Sequence, residues 1–213
     1  MNITILTSKN SWLNDYNKSL AGSLIELGHS VNIIHKQEEM KKGDIAFLLG
    51  CFELIKKDTL NLNKHNIVVH ESALPEGKGW SPITWQILEG KNVIPITLFE
   101  AAEEMDAGPI YFKDEINLNG MELVDEIREQ QANKTIELCL SFVKSIDSIN
   151  GHPQSGESTF YRRRRPEDSE LDINKPIKEQ FNLLRVVDNE NYPAFFKMNG
   201  VKYILKIYKG SNE

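Results

Sequence analysis

The sequence predicts an α/β protein with a Rossmann-like, mostly parallel sheet and flanking helices, followed by a small C-terminal helix and a β-hairpin. Strand and helix patterns alternate along the first part of the chain, and Asn199-Gly200 separates two apolar runs near its end. Alternating strands and helices are typical of parallel sheets, and Asn-Gly is a strong hairpin signal. We expect residues 1–150 to form the sheet unit and residues 151–213 to form an extension of linker, helix and hairpin.

The first elements follow from the spacing of apolar residues. Short apolar runs at residues 3–7, 31–35 and 45–49 are typical of buried strands. Between the first two runs, residues 11–27 place leucines and a tyrosine three and four positions apart, and Gly28 follows as a stop signal. This segment is therefore predicted to be an amphipathic helix.

The turn after the first strand, residues 7–11, has the sequence Thr-Ser-Lys-Asn-Ser. It lacks the Gly-x-Gly-x-x-Gly fingerprint of dinucleotide-binding proteins, which disfavours dinucleotide redox chemistry. Lys9 could face an anionic ligand at the start of the helix, although a solvated loop lysine is the commoner outcome of this pattern.

Later segments predict helices and one hairpin. Residues 120–149 are compatible with a long helix that packs through one apolar face, and a stretch rich in Gly, Ser and Pro follows as a linker. Residues 175–187 have a helical pattern, and residues 194–198 should pair with residues 201–208 across Asn199-Gly200. We expect this helix and hairpin to dock near the active-site side of the sheet.

Composition limits the class of protein. With 213 residues and 40% hydrophobic residues, the chain can bury one core, and no apolar run is long enough to span a membrane. The N-terminus has no secretory pattern, and the isolated Cys51 and Cys139 are typical of reduced thiols, so we expect a cytoplasmic protein. A formal net charge of -6 argues against a nucleic-acid partner.

One histidine and one aspartate stand at predicted strand edges. His70 closes the apolar run Ile67-Val68-Val69, and Asp106 lies in an Asp-Ala-Gly-Pro turn before a further apolar run at residues 110–112. If both edges belong to one sheet, the two side chains can meet. Imidazole has an ordinary pKa of about 6.5, which suits proton transfer near neutral pH.

These residues also belong to a longer ordered pattern, His-x-Ser-x-Leu-Pro, a glycine-bearing loop, Pro, an aromatic residue, a short helix ending in Gly, Thr-Leu and Asp-x-Gly. The pattern resembles the catalytic core of the formyltransferases that use N10-formyltetrahydrofolate. Residues 161–172 resemble the stretch that follows the core in the methionyl-tRNA and sugar-nucleotide members, so the resemblance runs from about Asp44 onward. The matching core residues are His70, Ser72, Leu74, Pro75, Gly79, Pro82, Trp85, Gly90, Thr97, Leu98, Asp106 and Gly108.

The resemblance implies direct transfer of a formyl group from N10-formyltetrahydrofolate to a primary amine, without a metal, ATP or a covalent formyl-enzyme. It implies that His70 is the general base and that Asp106 orients the ring and stabilises its cation. It also implies a set of residues that bind the folate cofactor, namely Ser72, Leu74, Pro75, Thr97 and Leu98.

One position departs from the family pattern. The family has Asn-x-His, and its asparagine helps to bind the oxyanion, but Val68 stands two residues before His70. Asn66 would lie roughly 13 Å from His70 along a strand, too far to bind the same oxygen. Either a backbone N–H, a protonated His70 or another donor replaces the asparagine, or activity is lost.

Three further residues are candidates for substrate contacts. Lys78 stands where the family commonly has arginine, and Trp80 adds an aromatic surface, although a surface-loop lysine and a packing tryptophan are an equally common outcome. The run at residues 162–165 is four arginines, and the acidic residues that follow favour local pairing in a solvated run. In the family context Arg163 or a neighbouring arginine could instead close over the substrate.

The acceptor substrate follows by comparison among family members. The tRNA-formylating members have a substantial C-terminal RNA-binding domain, for which we expect no room in a chain ending at Glu213. We therefore expect a nucleotide-linked 4-amino-4,6-dideoxy sugar, such as a UDP-linked 4-amino altrose derivative. A glycinamide ribonucleotide-type formyltransferase and an inactive protein that binds folate or a nucleotide sugar remain as alternatives. The long helix and the hairpin could each form a homodimer contact.

Overall fold

The computed structural model describes residues 1–210, and its core is a six-stranded sheet. The sheet strands are β1 (Asn2–Leu6), β2 (Ser30–Ile34), β3 (Gly43–Leu48), β4 (Asn63–His70), β6 (Val93–Glu100) and β7 (Ile110–Asn117), and a short strand β5 (Lys78–Gly79) lies outside the sheet. The helices are α1 (Asn14–Glu26), α2 (Lys57–Leu60), α3 (Pro82–Leu88), α4 (Val124–Ser145) and α5 (Phe181–Val186). The remaining strands are β8 (Phe160–Tyr161), β9 (Ala194–Met198) and β10 (Val201–Leu205).

The strand order β2-β1-β3-β4-β6-β7 confirms the predicted mostly parallel, Rossmann-like sheet. The first four strands in that order are parallel, whereas β6 is antiparallel to β4 and β7 is antiparallel to β6. The chain leaves β1 toward β2 on one side and reaches β3 on the other. In such sheets ligands bind beyond the carboxyl ends of the strands, and His70 is the last residue of β4.

Alternation along the strands divides the core between the two faces of the sheet. Ile5 and Phe47 belong to a large cluster with residues of α1 and α4, whereas Leu6, Ala46 and Leu48 belong to a smaller cluster with Met40. Successive strand residues point to opposite faces, so both faces of these parallel strands are buried. Burying each leucine-sized side chain stabilises the fold by about 1.5–3 kcal/mol.

The three helices predicted from periodicity are all shorter than the sequence pattern indicates, and the first of them spans Asn14–Glu26. The long helix begins at Val124, because the Glu122 carboxylate accepts the backbone N–H groups of Asn119 and Gly120 and holds them in a turn. The segment predicted at residues 175–187 is a 3-10 turn, Ile177–Gln180, followed by α5. Pro176 disfavours a helical residue before it, which explains the late start.

The predicted hairpin forms β9 and β10, joined by Asn199 (φ 50°) and Gly200 (φ 78°). Two positive φ values match the turn that Asn-Gly favours. The second strand ends at Leu205, three residues before the predicted end.

The C-terminal extension is tied to the sheet unit by contacts of residues far apart in sequence. Strand β8 pairs with β5, and the buried Arg185 of α5 forms a 2.8 Å ion pair with Glu122 and donates to Asn92. Arg185 is only 1% exposed, and removing one partner of such a pair typically costs 3–5 kcal/mol. The boundary at residue 150 stays a prediction, and the last three residues of the predicted extension lie outside the described residues.

Candidate active site

His70 lies at the carboxyl end of β4, where the antiparallel strand β6 places Thr97 beside it. The imidazole is 7% exposed, and its Nε2 donates to the carbonyl oxygen of Gly77 at 2.9 Å. A carbonyl oxygen only accepts, so Nε2 carries a proton, and the neutral ring keeps the lone pair of Nδ1. Nδ1 has no hydrogen-bond partner within residues 1–210.

Asp106 lies beside His70 but does not hydrogen-bond to it. Its Oδ2 is 3.9 Å from His70 Nε2 and accepts the backbone N–H of Gly79 at 2.9 Å. The ring is therefore oriented by the Gly77 carbonyl, and Asp106 can act on it through charge. Both side chains are largely shielded from water, so charges at this distance interact more strongly than they would at the surface.

The turn that holds Asp106 is shaped by three close contacts. Asp106 has φ 51°, a left-handed conformation that Asp tolerates. The side chain of Gln154, from the predicted linker, donates to the carbonyl oxygens of both Asp106 and Gly108 at 2.9 Å. A Cβ at Gly108 would overlap the Glu100 carbonyl oxygen. The Asp-x-Gly pattern is thus required by the backbone as well as by the site.

Two cavities open beside the end of β4. The apolar cavity has a volume of about 230 Å³. Its walls are Leu48, Gly50, Cys51, Phe52, Glu53, Leu54, Ile55, Leu60, Val68, Val69, His70, Gly79, Trp80, Phe99, Ala101, Ala102, Met105 and Asp106. Both predicted catalytic residues therefore line it. Val68 lines it as well, so an aliphatic side chain stands at the position of the family's asparagine.

The basic cavity is larger, about 710 Å³. Four arginines line it, Arg128 and Arg163 to Arg165, together with the aromatic residues Trp12, Phe52, Trp80 and Tyr192. The other lining residues are Asn10, Ser11, Gly50, Glu71, Ser81, Ile83, Thr84, Ile87, Val124, Ile127, Gln131, Ser169, Val186, Asp188 and Asn191. Gly50, Phe52 and Trp80 line both cavities, so the two meet at these residues.

The four arginines of the run differ in their partners. Arg162 forms a two-bond contact with Asp168, at 2.8 and 2.5 Å, and this contact lowers the pKa of Asp168 to about 2. Arg163 stacks over the Trp80 ring at 4.8 Å. Local pairing therefore holds for Arg162, whereas Arg163 to Arg165 line the basic cavity.

Arg164 is the most informative member of the run. Its Nη2 donates to the Asp168 carbonyl and the Ser169 hydroxyl, and its buried Nε has no hydrogen-bond partner within the described residues. Burial lowers the pKa of Arg164. A half-buried guanidinium with unfilled donors and no carboxylate contact is suited to an anionic ligand.

Sequence reasoning missed Glu71. This carboxylate follows His70 directly and is 9% exposed, and burial raises its pKa above the ordinary value. Gln131 of α4 donates to its Oε1 at 2.8 Å, and Glu71 lines the basic cavity. The available signal was a charged residue at the end of a buried strand.

The residues predicted to bind the cofactor are buried in the structure. Ser72, Leu74, Thr97 and Leu98 are at most 2% exposed, and Pro75 is buried as well. None of the five lines either cavity. The Thr97 hydroxyl donates to the Ser72 carbonyl at 2.6 Å, which holds the loop after His70 against β6. The structure therefore places them behind the site, and direct cofactor contact stays a prediction.

Two of the four residues predicted to contact the substrate line a cavity, and two do not. Trp80 lines both cavities and Arg163 the basic one, whereas Lys9 is exposed and lines neither. Lys78 is buried, with 5% of its side chain exposed, and its Nζ lies 3.8 Å from Glu104 and 5.7 Å from the Phe160 ring centroid. The alternative of a surface-loop lysine is wrong, because β5 pairs with β8 and covers Lys78, and substrate contact by Lys78 stays a prediction.

The cysteines are unsuited to nucleophilic catalysis. Cys51 lines the apolar cavity, its thiol donates to the Leu6 carbonyl, and burial raises its pKa to about 12. Cys139 is fully buried, and burial raises its pKa further. Among residues 1–210 there is also no cluster of three His, Cys, Asp or Glu residues placed to hold a metal, and no helix there is long and apolar enough to cross a membrane.

Known proteins resemble this chain in sequence and in fold. Methionyl-tRNA formyltransferase from Thermosipho africanus is 31% identical over 169 residues, which cover 79% of this chain and 52% of that protein. The chain spans about half the length of the curated relatives it matches.

Two solved structures show the same fold. A sugar N-formyltransferase from a Shewanella species superposes with a TM-score of 0.71 at 15% identity, covering 100% of this chain and 99% of that one. HypX from Aquifex aeolicus in complex with tetrahydrofolic acid superposes with a TM-score of 0.82 at 18% identity, covering 96% of this chain and 37% of that one.

The profile of the family described as formyl transferase matches residues 28–142, more than half of the chain. That range contains β4 with His70, the Asp106 turn and most of α4. The chain belongs to the formyl transferase family.

Proposed function

We propose that this protein transfers a formyl group from N10-formyltetrahydrofolate to the primary amine of a nucleotide-linked 4-amino-4,6-dideoxy sugar. The observation that carries the proposal is the position of His70 and Asp106 on the wall of an apolar cavity that meets a larger, arginine-lined cavity. One cavity suits a flat folate ring system and the other suits a phosphate-bearing acceptor.

The apolar cavity is the candidate donor site. Its walls combine aliphatic side chains with Phe52 and Met105, which pack well against a planar heterocycle. The family assignment and the HypX complex with tetrahydrofolic acid support a reduced folate as the ligand. The formyl group would then have to lie toward His70, where the two cavities meet.

The chemistry needs one group that carries the proton and no covalent formyl-enzyme. The acceptor amine attacks the formyl carbon, its nitrogen forms the new C–N bond, and the proton it loses passes to His70. As the tetrahedral intermediate collapses, the bond to N10 breaks and N10 receives a proton, giving the formamide and tetrahydrofolate. Asp106 stabilises the imidazolium between these steps.

The oxyanion of the intermediate needs a donor, and Val68 cannot supply one. The remaining candidates are the imidazolium of His70 and backbone N–H groups of the loop after β4. Such donors act strongly in a water-poor site because they are held in place before the reaction.

The basic cavity is the candidate acceptor site. Its arginines can bind phosphate groups in two-bond contacts, and its aromatic side chains can stack on a base or sugar. The protein carries a net charge of -6, so the arginines form a local basic site in an acidic chain. This distribution favours a small anionic acceptor over a long nucleic acid.

Methionyl-tRNA is the second candidate acceptor, favoured by the sequence similarity to methionyl-tRNA formyltransferases. Like a nucleotide-linked aminosugar, its reacting end carries both a primary amine and phosphate groups. A tRNA substrate requires contacts over a much wider surface than one cavity, and its binding should weaken steeply with salt.

A formylation assay tests the proposal. The protein would be incubated with N10-formyltetrahydrofolate and, in separate reactions, UDP- and dTDP-linked 4-aminosugars, methionyl-tRNA and glycinamide ribonucleotide, with formyl products detected by mass. We expect the fastest product with a nucleotide sugar. A fastest product with methionyl-tRNA or glycinamide ribonucleotide would overturn the sugar assignment, and binding of folate without any product would identify an inactive binding protein.

A further inference from the structure

We infer that the Glu71 carboxylate binds the amino group of the acceptor and that Gln131 positions this carboxylate. The inference rests on the proposed formyl transfer and adds a specificity residue to it. It concerns the chain's own Glu71, which faces the basic cavity rather than the cavity of His70 and Asp106.

The first observation is the position of Glu71 at the end of β4. Glu71 follows His70 directly, and β4 ends at His70, so Glu71 is the first residue of the loop after the strand. His70 lines the apolar cavity, and Glu71 lines the basic cavity. Glu71, which would bind the amine, and His70, which would take its proton, are therefore adjacent in sequence. They line the proposed acceptor cavity and the proposed donor cavity, respectively.

The second observation is that Glu71 is buried without a cationic partner. Its side chain accepts one hydrogen bond, from Gln131, and forms no ion pair within residues 1–210. The buried Glu122 differs, because it accepts two backbone N–H groups and pairs with Arg185. Ionised carboxylates are rarely left buried with a single partner, because the lost hydration is costly.

The third observation is that two of the four arginines on the same cavity wall, Arg128 and Arg163, have partners other than Glu71. Arg128 is held by Asp188 at 2.9 Å, and Arg163 stacks on Trp80. Burial raises the pKa of Glu71, and the neighbouring His70 and the Gln131 hydrogen bond offset this effect only in part. An acceptor ammonium or amine would supply the missing donors, and it would meet the only acidic residues of that wall, Glu71 and Asp188, of which Asp188 already has its arginine.

Gln131 is the positioning residue in this arrangement. It projects from α4, 60 positions along the chain, and its amide N–H donates to Oε1 of Glu71. That bond uses one carboxylate oxygen, and Oε2 has no hydrogen-bond partner in the described part of the chain. A neutral amide can orient the carboxylate without competing with a cationic ligand.

The test compares wild-type protein with Glu71→Gln, using Glu76→Gln as the matched control because Glu76 is an exposed carboxylate on the same loop. Initial rates are measured with N10-formyltetrahydrofolate and the acceptor that wild-type protein formylates fastest in the panel above. We expect Glu71→Gln to raise the acceptor KM roughly tenfold or more, as for a lost charge-assisted contact, with the folate KM within about twofold. Glu76→Gln should match wild-type protein.

Melting temperature separates this role from a structural one. Because the pKa of Glu71 is raised in the folded state, its ionised form destabilises the fold at neutral pH, so Glu71→Gln should melt at the same or a higher temperature. A lower melting temperature together with an unchanged acceptor KM would make Glu71 a structural residue and overturn the inference.

The Gln131→Leu variant completes the experiment. It should raise the acceptor KM less than Glu71→Gln does, and the double variant should be no worse than Glu71→Gln alone, since both act through one carboxylate. Fully additive effects would overturn the positioning role. Active wild-type protein with an unchanged acceptor KM in Glu71→Gln would overturn only this inference, whereas wild-type protein that formylates no acceptor would overturn the proposed function with it.

Discussion

The two cavities beside the end of β4 are built from different parts of the chain. The apolar cavity takes its walls from the sheet, from residues 50–55 and from the Asp106 turn, all within the first 106 residues. The basic cavity adds α4, the arginine run and residues 186–192 of the C-terminal extension. The difference indicates that the proposed donor site belongs to the sheet unit, whereas the proposed acceptor site requires the extension to be docked.

The first prediction concerns the imidazole that lines the apolar cavity. His70→Asn should lower the rate roughly 10²- to 10⁴-fold, because the amine loses its general base. Binding of the proposed acceptor nucleotide sugar, measured by calorimetry, should stay close to the wild-type value, because the proposed acceptor site is the other cavity. A His70 variant that keeps most of its activity would refute the proposed mechanism.

Asp106→Asn tests the charge beside that group. The carboxylate lies 3.9 Å from His70 Nε2 and does not hydrogen-bond to it, so its effect on the imidazolium is electrostatic. We expect a rate loss of roughly 10- to 100-fold, corresponding to about 1.4–2.8 kcal/mol. The amide oxygen can still accept the Gly79 N–H, so the melting temperature should change little. Equal rates in both proteins would leave Asp106 as a turn residue only.

Val68→Asn places a polar side chain in the wall of the apolar cavity. The variant restores the family's asparagine, but it places an amide among aliphatic side chains, which should cost about 1–3 kcal/mol unless the amide finds a partner. We expect a lower melting temperature and no gain in rate. A large gain in rate would show that the native oxyanion site lacks a donor and that the native protein is a poor enzyme.

Arg164→Gln makes the smallest change and affects only the basic cavity. Loss of the half-buried guanidinium should raise the acceptor KM roughly tenfold, about 1.4 kcal/mol, and leave the folate KM unchanged. Arg162→Gln is the matched control, because Arg162 is bound to Asp168 and does not line the cavity. An equal effect of both variants on the acceptor KM would indicate a general charge effect.

Several features of the fold could be predicted from local sequence. The strand before His70, the strand after the Asp106 turn, the helix that stops at Gly28 and the Asn199-Gly200 hairpin depend on residues within a few positions of each other. Their periodicity and turn chemistry are local properties, so the pattern identifies them. The long helix starts later than the pattern indicates, because the Glu122 side chain captures two backbone N–H groups.

His70 and Asp106 could be predicted because the residue type at one strand end and in one turn was a sufficient signal for each. The His70 and Asp106 side chains lie within 4 Å of each other, as the hypothesis that both edges belong to one sheet requires. Lys78 shows the limit of this reasoning. A lysine between two glycines is typical of a surface loop, and it is the pairing of β5 with β8 that buries Lys78.

The sequence by itself determined the alternation of strands and helices, the strand end that carries His70 and the turn that carries Asp106, because each depends on backbone preferences of neighbouring residues. The tertiary structure alone decided that Gly77 orients the imidazole, that Gln131 contacts Glu71, and that Arg164 has no carboxylate contact among residues 1–210. The last two depend on which elements pack together at the end of β4. Such long-range packing depends on the whole core, so no local pattern encodes it.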